Sequence, residues 1–513
     1  MGSPGIEAAS TGEGKATRLV ARGSAATMAG FVVRFGARLV FLLAAGRFYG
    51  PKLFGAFSIA VALVELAVAV AGLSSKRLIF KWLDERDPAR PAVHLVLDCA
   101  LLILGVGIAV AALVVAGAMW LPSLGVEGTA LATLVVIAPM IAGQALLDLI
   151  LGSTRWHHAV RYEVVGRSIV EPYAAAAVTL LAWCVGWLGT GLALGYIAGT
   201  LAALAYGMIG LRRSFGPLHL GSYRPAPRHM LRLFREATVP TLSETLSAFY
   251  TRADLYVVGI FMGEVPAGLY GMARQFRIPL RQVRQSFDAL LTPIISRTLS
   301  LKGAHEAGRA VASATRLILA IQLAILVVMV GLGRPLLAWI GPPFAAAFVP
   351  MLVLSLSEAI QGAFGVGDLL LLYRKPFETV RITLVSIAIN LGGAALLIAP
   401  LGLPGAALAV LAANLAAALL RRFRLKAILG ISIPLGFHAG VVAATVAGAG
   451  AGWLVLANLA SPPWVTGAAT AVAGLAVFSL ILWGWGRATG ETLSLTNLHS
   501  HAEESAVAVA SVT

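Results

Sequence analysis

Charge is scarce in this chain. Asp, Glu, Lys and Arg make up 12% of its 513 residues and 59% are hydrophobic, where soluble globular domains carry about 25% charged residues. The core of a water-soluble domain cannot absorb that much apolar side chain, so the solvent has to be lipid. Cysteine is scarcer still: Cys99 and Cys184 both lie in apolar runs, which excludes a disulfide framework or a thiolate metal cluster. No Walker A loop is present, so nucleotide hydrolysis by this chain is not expected. The first 23 residues contain no apolar signal-peptide core, and the first span is therefore expected to stay in the mature protein. Acidic residues are outnumbered 23 to 39 by Lys and Arg, for a net charge of +16. Because these cations are scattered between apolar runs and not gathered on one domain, they do not read as a nucleic-acid surface.

What is present is a series of apolar runs. About 20 apolar residues cross a hydrocarbon core of about 30 Å. Runs of that kind predict fourteen transmembrane helices, near 25–46, 56–73, 95–120, 129–151, 168–188, 191–211, 237–262, 267–295, 314–333, 348–371, 382–400, 403–420, 435–458 and 464–486. The eighth, LYGMARQFRIPLRQVRQSFDALLTPII, is the most polar, and hydropathy alone would pass over it. Charge restores it. With both termini in the cytoplasm, the inner segments hold 29 Lys and Arg and the outer ones only Arg47, Lys52 and Arg334. That asymmetry orients the chain by the positive-inside rule, and it survives only if the eighth segment crosses. Outer connections are mostly under 15 residues, too short for a domain of their own.

The longest connection, from Leu211 to Glu236, is basic and separates six spans from the rest. GRFYGPKLFG at the end of the first span and GIFMGEVPAG at the end of the seventh place Gly46, Gly50 and Gly55 in the same spacing as Gly259, Gly263 and Gly268, at an offset of 213 residues. Leu188 and Gly189 match Leu401 and Gly402 at the same offset. Internal repeats of this kind are common in secondary transporters. The expected organisation is a cytoplasmic segment 1–24, a first lobe of six helices 25–211, a basic linker 212–236, a second lobe 237–425, two further helices within 426–488 and a cytoplasmic tail 489–513.

Three passages carry a resemblance. AGRFYGPKLFGAFSIAVALVELAV, RADLYVVGIFMGEVPAGLYGMARQFRIPL and LGLPGAALAVLAANL resemble the turn from the first span into the second, the seventh and eighth spans, and the start of the twelfth span of one family. That family is the polysaccharide flippase branch of the multidrug/oligosaccharidyl-lipid/polysaccharide exporter (MOP) superfamily. Lys52 stands where members commonly carry an acidic residue. The resemblance implies an all-α polytopic membrane protein with two six-helix lobes in a V around a central cavity, plus two C-terminal helices. It implies no enzymatic activity, but alternating-access flipping of undecaprenyl-diphosphate-linked oligosaccharide across the bacterial cytoplasmic (inner) membrane, for O-antigen, capsule or exopolysaccharide. The implied partners are lipid-linked oligosaccharide, membrane lipids and other glycan-assembly membrane proteins, with no cofactor beyond H⁺ or Na⁺ coupling. An ion-coupled drug or metabolite antiporter of the same superfamily is the alternative. A polytopic enzyme of glycan assembly is a weaker one, because it would need a substantial outer loop.

Seven cations remain inside the spans: Arg34, Arg38, Arg252, Arg274, Arg277, Arg281 and Arg284. Each would cost about 2.5–3.5 kcal/mol at the centre of a lipid-facing helix, so they are expected to face the bundle interior. At about 100° per residue the last four share an arc of about 80°, and Arg34 and Arg38 share a face at i and i+4. Guanidinium forks stay charged and bind phosphate bidentately. These seven are therefore the candidate contacts for diphosphate and glycan, Arg277 and Arg281 foremost, with Arg274 best placed to snorkel to the outer interface. Glu65, Glu244, Asp254 and Glu358 are the acids deep in spans and the candidates for H⁺ or Na⁺ coupling. Asp98, Asp148, Glu171 and Asp368 are expected nearer cytoplasmic ends, and Asn390 and Asn414 are expected to bond between helices. His157 and His158 have no third ligand at helical spacing, and no metal is expected.

Overall fold

The structure, a computed structural model, describes residues 36–489 apart from 37, 88–89, 121, 123–127, 218–220, 222, 288–302, 375, 431–435 and 460. In chain order its main α-helices are α1 (Gly50–Ala71), α2 (Ser75–Asp84), α3 (Ala92–Ala118), α4 (Gly128–Ile137), α5 (Met140–Trp156), α6 (Arg161–Val165), α7 (Glu171–Cys184), α8 (Gly191–Phe215), α9 (Pro227–Met262), α10 (Glu264–Phe276), α11 (Gly303–Ile340), α12 (Phe348–Arg374), α13 (Pro376–Leu401), α14 (Leu403–Leu429), α15 (Gly436–Asn458) and α16 (Pro463–Thr489). The chain is an all-α, multi-pass membrane protein. Among the described residues ten helices are long and apolar enough to cross a bilayer, or eleven if α4 and α5, bent by 46°, are one span. The other expected spans are helices that such a test misses. Residues 38–84 form one helical stretch, broken at Gly50, that holds the second expected span and the end of the first, whose residues 25–35 lie outside the described residues. The seventh falls in α9, and the eighth in α10 and the helix over 278–287, with its last residues, 288–295, outside the described residues; charged and amide side chains lower the hydropathy of both.

The repeated glycines share a geometry. Gly50 has φ +75° and Gly263 φ +86°, each at the junction where one helix gives way to the next. A side chain with a Cβ is strained there, so the repeated glycine marks the turn between consecutive spans in both halves. The second match is looser, because Gly402 is left-handed at φ +61° while Gly189 is not.

Two compact units, Met1–Phe249 and Tyr250–Thr513, meet in sequence inside α9. That helix has 36 residues, about 54 Å of length, well beyond a core of about 30 Å. Its first half is bonded into unit 1. Ser74 donates to Glu244 at 2.8 Å, and the Trp82 indole to Glu236 at 3.2 Å. The fully buried Asp98 of α3 accepts from the Tyr223 hydroxyl at 2.6 Å, pairs with Arg90 at 2.6 Å and lies 3.4 Å from His229 Nδ1. Burial and that carboxylate hold the Tyr223 hydroxyl above its usual pKa, which keeps it a donor. From Tyr250 onward α9 belongs to unit 2, where Val257 packs on Ala394 and Ala409.

Loop composition had hidden α2. Leu73 and Ser74 adopt left-handed conformations, φ +49° and +47°, and swing the chain off the end of α1. Ile79, Trp82 and Leu83 of α2 are buried and Lys76, Arg77 and Lys81 exposed, the two-faced pattern of a helix lying at a bilayer surface. Elsewhere small residues let helices touch, since lipid offers no hydrophobic drive between them. A Cβ on Gly199 of α8 would lie 2.7 Å from the Glu171 carbonyl of α7, and one on Gly448 of α15 would lie 2.7 Å from the Gly474 carbonyl of α16.

Candidate functional site: a cationic cavity in unit 2

The charged residues of the second unit converge on one small cavity of about 30 Å³, lined by Tyr250, Thr251 and Asp254 of α9, Arg277 and Arg281 after α10, Glu358 and Gln361 of α12, Asn390 of α13, and Val410, Ala413 and Asn414 of α14. Local sequence explains the placing of the arginines. Pro279 cannot donate to the helical ladder and clashes with the preceding turn, so α10 stops at Phe276, Arg277 occupies a turn and the helix resumes over 278–287. The four arginines therefore do not lie on one continuous helix. The assumption of 100° per residue across the whole segment is corrected at Arg277.

Each arginine has a different partner. Arg274 Nη1 donates to Asp254 Oδ1 at 3.0 Å and its Nη2 to the Thr251 carbonyl at 2.7 Å, while the Tyr270 hydroxyl donates to the other Asp254 oxygen at 3.1 Å. Arg281 grips Glu358 with both ends of its fork, at 3.1 and 3.0 Å. Arg277, only 7% exposed, donates to the same Thr251 carbonyl at 3.3 Å. Three guanidinium groups thus face two carboxylates, and Arg277 is the one of the three that bonds neither. A buried cation without a carboxylate partner is costly, and a bound anion would offset that cost.

The polar wall is built to hold its shape. Tyr250 donates to Asn414 Oδ1 at 2.6 Å, and Asn414 Nδ2 donates to Ser357 at 2.7 Å, tying α9, α14 and α12 together as expected of an interhelical asparagine. Gln322 of α11 donates to the Leu280 carbonyl at 2.8 Å and so secures the helix beyond the break. Asn390 is 3% exposed, and its Oδ1 accepts no hydrogen bond among the described residues. It leaves an unused acceptor on the cavity wall.

A family model described as polysaccharide biosynthesis protein matches residues 20–299, more than half of the chain. The chain belongs to that family. No curated protein matches its sequence. Among solved structures, the lipid II flippase MurJ in an inward closed conformation matches with a TM-score of 0.72 at 13% identity, covering 90% of this chain and 99% of MurJ. An inward-facing multidrug resistance MATE family transporter of the MOP superfamily matches with a TM-score of 0.62 at 15% identity, covering 77% of this chain and 98% of that one. Identity this low carries the fold alone, and the fold is that of the MOP-superfamily flippases and transporters.

Of the candidate residues, Asp254, Arg274, Arg277, Arg281 and Glu358 come together in this one cluster. Arg274 is not the snorkelling residue that its position near the segment's start indicated: its side chain is 13% exposed and locked on Asp254. Arg252 turns to another face of α9, with its Nη1 on the Thr251 hydroxyl at 3.1 Å, and Arg284 is half-buried one turn past Arg281. Arg38 and Glu65 are half-buried in unit 1, and Arg34 lies outside the described residues. Glu244 is half-buried in unit 1, where it accepts from Ser74 beside the end of α1 at 2.8 Å.

Unit 1 holds a polar cluster that loop counting concealed. Arg167, in the π-helical turn Gly166–Val170, donates to Asp148, to Glu171 at 3.0 Å and to Gln144 Oε1 at 2.8 Å. Gln144 in turn donates to Glu171 at 3.0 Å and Thr200 at 2.8 Å. Counted as a cytoplasmic charge by topology, Arg167 lies instead within a stretch, Arg161–Cys184, long and apolar enough to span. The one signal for it in sequence was the i, i+4 spacing of Arg167 and Glu171.

Proposed function

We propose that this protein flips undecaprenyl-diphosphate-linked oligosaccharide across the bacterial cytoplasmic membrane during assembly of a surface polysaccharide, with both termini and the basic segments facing the cytoplasm. The observation that carries the reading is the surplus guanidinium on the cavity wall: Arg277 beside two arginines already paired with Asp254 and Glu358. A diphosphate supplies the missing negative charge, and a planar fork suits its oxygens. Family membership and the flippase fold support the same class of cargo. A carrier for cationic drugs would need the opposite excess. Arg34, Arg38, Arg252 and Arg284 are further proposed contacts along the path. Asp254 and Glu358, with Glu65 and Glu244, are the carboxylates through which H⁺ or Na⁺ coupling is proposed to act.

The direct test is reconstitution of the whole protein in vesicles with a fluorescent lipid-linked oligosaccharide in both leaflets. Time-dependent loss of the outer-leaflet signal to an impermeant quencher or glycosidase, above that of empty vesicles, is expected. Absence of protein-dependent flipping, together with uptake of a cationic dye, would establish the antiporter alternative. The orientation has its own check, since a Ser222→Cys variant in cells should resist an impermeant maleimide added from outside while a Gly189→Cys variant reacts. The opposite pattern inverts the topology.

A further inference from the structure

The anion site described above is already occupied by the protein's own anions. Asp254 and Glu358 hold Arg274 and Arg281 at 3.0 Å, both acids at most 3% exposed. The space they leave, about 30 Å³, is room for one or two waters and not for a phosphoryl group. Cargo can engage Arg277 at little cost, but it reaches the other two guanidinium groups only by displacing a carboxylate from each.

Resting on the reading of this cavity as the cargo phosphate site, we propose that Asp254 and Glu358 act as tethered competitors of the cargo, and that this competition makes the site selective for a diphosphate over a monophosphate headgroup. The physical argument is a comparison of exchanges. A monophosphate satisfies Arg277 and has too little charge and too few oxygens to replace two carboxylates as well. Displacing even one would leave a buried carboxylate without its cation, which is strongly unfavourable. A diphosphate carries a second phosphoryl group to set against a displaced acid. The same exchange closes the empty carrier: with no cargo, the acids return to the arginines and the charges are covered for the return step. Glu358 is the cleaner of the two to test, because both of its oxygens accept from Arg281, whereas Asp254 is also held by Tyr270.

The test uses purified full-length protein and two soluble probes, farnesyl diphosphate and farnesyl monophosphate, with affinities from titration calorimetry. The unmodified protein is expected to prefer the diphosphate by at least about tenfold. In Glu358→Gln the amide keeps the shape, and its weaker hold on Arg281 frees that guanidinium. Both probes should bind tighter, the monophosphate by about tenfold, and the preference should fall below about threefold. Glu358→Asp, which keeps the charge but shortens the reach, should fall between the two and serves if the amide variant does not fold. Unchanged or weakened affinities in the folded Glu358 variants overturn the competition. Arg277→Ala separates the two levels of argument: if it binds farnesyl diphosphate as the unmodified protein does, the cavity is not the phosphate site at all, whereas lost binding there with no gain in Glu358→Gln removes only the competitor role.

Discussion

Replacing Arg277 with alanine is expected to stop delivery of lipid-linked glycan to the outer leaflet while leaving the folded protein in the membrane. Both halves of this expectation follow from the position of the side chain. Its guanidinium makes one hydrogen bond to the Thr251 carbonyl, and neither carboxylate of the site is bonded to it. Removing it therefore exposes no buried acid, and relief of a surplus buried cation offsets the lost packing. Cargo loses a charge-assisted contact worth about 2–3 kcal/mol, roughly a 30- to 150-fold loss of affinity. Lysine should restore part of the rate, because an ammonium keeps the charge but not the planar fork. Arg281→Ala should behave differently: it leaves Glu358 buried without its partner, so the protein itself should lose stability, and Arg281→Ala combined with Glu358→Gln should recover expression without recovering transport. Accumulation of glycan precursors on the cytoplasmic leaflet and the thermal midpoint of purified protein read the two effects separately. Arg277→Ala flipping at the unmodified rate would remove the cavity from the mechanism.

Much of this site was legible in sequence because charge inside an apolar run is so costly that it has few structural excuses. Of the eleven residues that argument singled out, Arg274, Arg277, Arg281, Asp254 and Glu358 meet in one cluster. It could not say who pairs with whom. Arg274 finds its acid 20 residues earlier across the Gly263 turn, and Arg281 finds its own 77 residues later on another helix. Such pairings are set by helix packing, which a single sequence does not display. Helical phase was reliable only as far as the helix continued, and the residue that broke it, Pro279, stood in plain view inside the segment. Polar but uncharged wall residues such as Tyr250, Gln361 and Asn390 carry no comparable signal, since an amide or phenol in a span is as often a bond between helices as part of a site.

Loop accounting failed in the opposite direction. Arg155 to Arg167 looked like one cytoplasmic segment because a run of cations between two apolar stretches usually is one. The structure divides that run: Arg155 pairs with Glu163 at 3.0 Å, while Arg167 has moved a turn into the helix that follows. The π-helical turn over Gly166–Val170 adds a residue to the turn there, a displacement of backbone that no residue count anticipates.

The clearest consequence of that correction is a large effect in unit 1. Arg167→Ala is expected to destabilise the protein more than any other single arginine replacement in that unit. Arg167 is shared by two carboxylates, Asp148 and Glu171, whose side chains are 27% and 23% exposed, and it also fixes the Gln144 amide. Taking away the one cation leaves two like charges facing each other in a partly apolar setting, with Gln144 deprived of its donor. Breaking a buried pair from one side costs about 3–5 kcal/mol. Partial exposure pulls this case toward the lower end and repulsion between the acids pushes it back up. The thermal midpoint of the purified protein should drop by several degrees and its membrane yield with it. Neutralising the acids in the same background, as Arg167→Ala with Asp148→Asn and Glu171→Gln, should restore most of the loss, because the cost is an uncompensated charge and not a missing shape. A normal midpoint for Arg167→Ala, or a triple variant no more stable than the single one, would mean that the cluster is hydrated and contributes nothing to holding α5, α7 and α8 together.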